Sequence, residues 1–358
     1  MKQLLWILLL LTVLAVPAQA APLPESLQDA IPEEAEELLD LEHLSGENGL
    51  REGFAEIGAF LAAHTGEILQ RQAIDCLRIF AIAALCSLLH AGVERHGGLS
   101  QLVTMIGAIL ITELTGEQMD SLLGLGKQTI HQLTAFSDHL LPALAAATAA
   151  AGGIRSATIH QLTAGLLTEV LIRLMDTVLL PLVSLYTGTL TAAVCLRSEG
   201  LRLLANGMRK AASWGLCTMM LLFTGYLSTV HAVSAGMDRT AVKLAKATIT
   251  GAVPVVGKIV SEATETVLSG ALMLRNTIGV LGMMIILATC AVPFLRLGIQ
   301  YLLYKLTACL SSLLETPELA QLINGLGSAF GLVLGMTGSC AMLLFLSVIS
   351  CISAVVSS

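Results

Sequence analysis

From Gly251 to Lys305 the chain reads GAVPVVGKIVSEATETVLSGALMLRNTIGVLGMMIILATCAVPFLRLGIQYLLYK. Small residues punctuated by Gly251, Pro254 and Gly257 lead into a weakly polar helix, and that helix leads into an apolar segment long enough to cross a bilayer. Irregular backbone at membrane depth is tolerated only where protein or a water-filled cavity covers it. The order therefore predicts a re-entrant or interfacial loop near 251–262 inside a multi-helix membrane protein. Composition agrees: 55% of residues are hydrophobic and 13% charged, against about 45–50% and about 25% in soluble domains. Aromatic residues, at 4%, are too few for the girdles of an outer-membrane barrel. The predicted fold class is all-α, a polytopic α-helical membrane protein.

Three zones follow along the chain. Residues 1–20 have the layout of a cleaved signal peptide: Lys2, an apolar run from Leu4 to Val16, Pro17, and then Ala18-Gln19-Ala20 as a small-x-small cleavage site. The run falls short of the roughly 20 residues a span needs; an uncleaved anchor is the alternative. Residues 21–71 form a short acidic extracytoplasmic leader. Its twelve acidic residues face only Arg51 and Arg71, so this stretch alone outweighs the net charge of −7 on the whole chain. Leu38, Leu39, Leu41 and Leu44 give Glu33–Leu44 a partly apolar side, consistent with a short helix. The leader is either a solvated arm or a docking surface for a basic partner.

Residues 72–358 form the multi-helix transmembrane domain. Apolar runs fall at Ala73–Ala91, Leu99–Leu114, Leu140–Ala151, Thr163–Cys195 (split at Pro181), Trp214–Ala235, Val267–Val292, Phe294–Leu314 and Leu319–Val355. Thr115–Ser137 is more amphipathic, and Pro293 separates two of the runs. About five to eight crossings fit these lengths. Arg95, Arg155, Arg209 and Lys210 are candidate cytoplasmic flanks.

Chemical motifs are scarce. All eight cysteines sit in apolar runs, with no CxxC and no Cys/His ligand spacing, so no metal or other cofactor is expected. HExxH is absent. Gly251 and Gly257-Lys258 mimic a phosphate loop, but five residues separate the glycines where four are needed, and Ile259 stands where a Ser or Thr should hold magnesium. No catalytic group is predicted, nor any nucleic-acid partner. Glu169, Arg173 and Asp176 lie at i, i+4 and i+7, which places them on one helix face with Arg173 able to pair with either acid. Such a cluster serves an ion or proton relay, or it is an internally neutralised triad.

Packing motifs are stronger. Gly327, Gly331, Gly335 and Ser339 recur every four residues along the last apolar run. Small residues let backbones approach closely where lipid supplies little hydrophobic drive between helices. Packing within the chain and association of copies into a homo-oligomer both fit the stripe. Gly279 and Gly282 add a second smooth patch.

The sequence PVVG, then SEATETVLSG, then LMLRNTIGVLG resembles the stage III sporulation protein AE family of endospore-forming bacteria. The matching positions are Gly251, Pro254, Val255, Val256, Gly257, Ser261, Thr266, Asn276, Gly279 and Gly282, with Tyr304-Lys305-Leu306 after the next apolar run. Lys258 departs from the family's expected second glycine. The resemblance implies a non-enzymatic membrane subunit of a secretion-like channel complex linking mother cell and forespore, needed for late forespore gene expression. It implies a multi-pass location in the mother-cell membrane around the forespore. The implied partners are the other stage III sporulation A operon proteins and, indirectly, stage II sporulation protein Q. A secondary transporter or permease using the intramembrane charges is the alternative, although no internal repeat supports it.

Overall fold

The computed structural model describes residues 30–39, 49–93, 97–150, 167–252, 256–314 and 316–356. Among these residues all regular structure is helical. The elements are α1 (Glu33–Leu38), α2 (Gly49–Val93), α3 (Gly97–Ala150), α4 (Leu167–Cys195), α5 (Glu199–Ala252), α6 (Val256–Ser311) and α7 (Pro317–Val356). Among the described residues five stretches are long and apolar enough to cross a membrane: Arg51–Gly92, Leu99–Ala150, Leu167–Cys195, Asn276–Ser311 and Pro317–Ser350. The chain is thus a polytopic all-α membrane protein. The predicted signal peptide and Trp214–Ala235 beyond Tyr226 lie outside the residues whose side chains are described.

The helices outrun the sequence segments. The apolar runs at 99–114 and 140–150 and the amphipathic stretch between them form one helix, α3, with Pro142 inside it. The longest candidate span has 52 residues, which at 1.5 Å per residue is about 78 Å, more than twice the hydrocarbon thickness. Pro293, predicted to separate two runs, lies inside α6. Buried proline is tolerated in such helices because packed neighbours and local adjustments compensate for the lost backbone bond. Pro181 shows one adjustment. The turn before it, Met175–Leu179, widens to a π-helix in which the Leu180 N–H bonds Met175 O.

The acidic leader is only in part a separate arm. Residues 49–71 are the first half of α2. Earlier in the leader, α1 stops at Leu38 rather than Leu44, because Leu39 is extended. Ile31, Ala35, Leu38 and Leu39 are buried, and α1 lies against α6 and α2.

Three helix turns gather at one end of the bundle. Between α4 and α5, Arg197 takes a positive φ of 48°, and the N–H of Ser198 reaches back to Ala193 O at 3.1 Å. This left-handed stop normally belongs to glycine. Ser198 then caps α5, its Oγ accepting the Leu201 N–H at 3.4 Å. Arg197 in turn pairs with Glu318 at 3.6 Å, which fastens the α4–α5 turn to the start of α7. The α2–α3 turn joins the same end: His90 meets Ser100 at 3.0 Å, and Gly107 packs on Cys86 and Leu319. Large apolar side chains face outward near this end, including Leu88, Leu102, Leu196, Leu306 and Leu313. In water they would form an unstable patch; in a bilayer they match the solvent.

Candidate functional site

Polar side chains in an apolar bundle are costly unless bonded, so where they pair shows what the fold fixes. Gln300, Tyr304 and Thr307 follow one another by four and three residues on α6, which sets them on one face. Gln300 Nε2 donates to Gln118 Oε1 of α3 at 2.6 Å. Tyr304 OH reaches Gln118 Oε1 at 2.9 Å and Thr115 Oγ1 at 3.1 Å. From α2, Gln72 Nε2 donates to Arg296 O at 3.1 Å. This polar seam joins three helices around the fully buried Tyr304. The buried Oε1 atoms of Gln72 and Gln300 accept no bond.

α6 also meets α7 through the glycine stripe. A β-carbon at Gly327 would lie 2.9 Å from Tyr304 Cβ, and one at Gly331 2.9 Å from the Tyr301 ring. Only glycine leaves room for those aromatic side chains. Gly335 faces Leu216 of α5. The three glycines of the stripe are therefore covered from within the chain. Gly325, which the sequence pattern does not single out, is tighter still against Leu190 of α4, and Tyr186 OH donates to its carbonyl at 3.1 Å. Gly282 packs on Leu140 of α3; Gly279 is buried beside it and Asn276 is half-buried at the start of the span.

The predicted charge cluster is divided. Arg173 pairs with Glu169 at 3.1 Å on an exposed face. Asp176 turns instead to α3, 3.3 Å from Lys127 Nζ and 3.8 Å from His131 Nε2. The π-helical turn starts at Met175, so the seven-residue repeat that would stack Asp176 over Glu169 is interrupted there. Widened turns of this kind are frequent at functional sites. Lys127 was invisible as a partner because it lies 49 residues away in an amphipathic stretch with no motif of its own.

Gly251 of the predicted Gly/Pro loop lies on α5 and Gly257 on α6. Pro254 lies outside the described residues. Among the described residues no three His, Cys, Asp or Glu side chains converge into a metal-ligand group. Several of the bonded polar groups join helix to helix.

Comparison with known proteins adds identity to this geometry. Residues 45–355 match the family described as Stage III sporulation protein AE. The chain is similar to Stage III sporulation protein AE of Bacillus subtilis (strain 168), at 29% identity over 185 residues. That alignment takes in 51% of this chain and 46% of the relative, so the match spans about half the length of each. No solved structure matches the chain. The family match runs through every long helix described above, and the chain belongs to the stage III sporulation protein AE family.

Proposed function

We propose that this chain is a non-enzymatic membrane subunit of a secretion-like channel complex that links mother cell and forespore and is needed for late forespore gene expression. The observation that carries the proposal is the family match across residues 45–355. The use of polar groups supports it: Gln118, Gln300, Tyr304 and Thr115 are engaged in joining helices, as a scaffold requires. In this reading the chain sits in the mother-cell membrane around the forespore. Its partners are the other stage III sporulation A operon proteins and, through them, stage II sporulation protein Q.

Deletion in a strain lacking a paralogue tests this. Engulfment should proceed, and forespore gene expression and spore yield should then fail, as read by a late forespore reporter. Normal heat-resistant spore counts would remove the proposal. One observation favours a transporter instead: the cross-helix contacts of Asp176 with Lys127 and His131 beside a π-helical turn. In that case neutralising Asp176 alone should abolish function.

A further inference from the structure

Lys305 of α6 and Arg209 of α5 have no carboxylate partner among the described residues. Lys305 Nζ is held only by neutral oxygens: Asn324 O at 3.0 Å, Asn324 Oδ1 at 2.6 Å and Ser328 Oγ at 2.8 Å. The Tyr301 ring lies beside it, 5.6 Å from Nζ to centroid. These contacts orient the ammonium group and leave its charge uncancelled. Arg209 of α5 is half-buried, and it follows Met208, which packs at the same level of the bundle. The level is fixed independently by packing. Met208 Sδ lies 3.8 Å from Thr189 Oγ1 of α4, Tyr186 of α4 bonds Gly325 O, and Gly325 adjoins the Asn324 that holds Lys305.

Four acids of α4, α5 and α7 are committed elsewhere. Glu318 pairs with Arg197, Glu199 with Arg202, Glu169 with Arg173, and Asp176 with Lys127. Among the described residues no carboxylate lies within ion-pair distance of Arg209 or Lys305. Two like charges in an apolar bundle repel each other, and an uncompensated charge at membrane depth costs a few kcal/mol. One anion between them removes both penalties.

We propose that Arg209 and Lys305, which α5, α6 and α7 bring to one level of the bundle, bind the phosphate group of an anionic membrane lipid. A guanidinium presents a planar fork of donors that fits two phosphate oxygens, while Lys305 acts as a fixed point charge. Basic pockets between membrane helices are where anionic head groups lodge. The surroundings favour a lipid over a free anion. Leu302 and Leu306, which flank Lys305 on α6, are 64% and 57% exposed, an apolar wall for an acyl chain. Lys210, the next residue on α5, is exposed and extends the basic surface.

The test uses the full chain, delipidated in a neutral detergent. Melting temperature is measured with added phosphatidylglycerol, with phosphatidylcholine, and with inorganic phosphate at matched phosphorus. Native mass spectrometry counts retained lipid. Phosphatidylglycerol should raise the melting temperature of the wild type and remain bound. Arg209→Gln should bind it roughly tenfold more weakly, the worth of one charge-assisted bond, and Arg209→Lys should recover part of the loss. If Arg209→Gln does not accumulate, Lys305→Gln and the wild-type comparison of lipids carry the test. Equal stabilisation by phosphatidylcholine overturns the proposal. An equal effect from inorganic phosphate overturns the lipid as the source and leaves a soluble anion. No response to phosphatidylglycerol also overturns it, and assigns the counter-charge to a carboxylate on a partner protein.

Discussion

The α6–α7 and α2–α3 hairpins are both apolar enough to span a membrane, yet they are built differently. The most apolar stretches of α6 and α7 are 67% and 56% buried, against 22% and 28% for α2 and α3. The inner hairpin closes through Gly327 and Gly331 against Tyr304 and Tyr301, and polar bonds from α6 fix its register on α3. The outer hairpin turns Leu77, Leu88, Leu102 and Ile106 outward. Hydropathy therefore selects segments for the membrane, and small residues and paired polar groups decide which of them form the centre.

Tyr304→Ala should be the most damaging change. It empties a fully buried aromatic site and leaves Gln118 and Thr115 short of a bond. Large buried aromatic truncations cost about 3–5 kcal/mol in soluble cores; lipid-solvated unfolded states weaken the transfer part, so about 2–4 kcal/mol is expected here. The midpoint of denaturant unfolding in mixed micelles measures it. Tyr304→Phe isolates the hydroxyl, worth about 0.6 kcal/mol by the average for polar bonds between membrane helices. Equal losses for the two variants would place the stabilisation in the polar seam rather than in packing.

Gly331→Ile comes next. Its side chain must displace the Tyr301 ring, 2.9 Å from where a β-carbon would stand, and overpacking of this kind costs about 1–3 kcal/mol. Reduced accumulation in the membrane and a lower unfolding midpoint are expected. An unchanged midpoint with failed assembly would move the stripe from the interior to a contact between subunits.

The helical membrane class, the small-residue stripe and the family were legible in the sequence because each rests on local pattern or residue identity. What escaped depends on contacts between distant segments. Gln118 and Gln300 are ordinary glutamines until α3 and α6 lie side by side. Regular helix spacing lets Arg173 pair with either Glu169 or Asp176; it pairs with Glu169, and Asp176, in the π-helical turn before Pro181, meets Lys127. Gly251 and Gly257, read as helix breakers, are carried within helices. Leu38 and Leu39 looked like the apolar side of an arm, and their burial required α6 as a surface.

Asp176→Asn probes the cluster at the boundary between inner and outer helices. Lys127 and His131 are 55–57% exposed, so water or head groups screen the pair and less than about 1 kcal/mol of stability should be lost. Spore yield should stay close to wild type if the contact is structural. A complete loss of sporulation with normal accumulation would transfer the function to this cluster and support proton or ion coupling.

The smallest effect is expected on the outer hairpin. Leu88 is 71% exposed, and in a bilayer its side chain exchanges one hydrocarbon neighbour for another when truncated. Leu88→Ala should therefore shift the unfolding midpoint by less than about 0.5 kcal/mol, as for substitutions that touch no packed feature. Sporulation gives the sharper readout, because it senses surfaces that stability does not. Lost sporulation at unchanged stability would mean that this face meets protein rather than lipid, since only a partner that packs against Leu88 distinguishes leucine from alanine there. Crosslinking from a cysteine placed at Leu88 in cells then identifies what covers it. A wild-type phenotype leaves α2 and α3 as the lipid-facing rim, and confines assembly to surfaces other than the most apolar one.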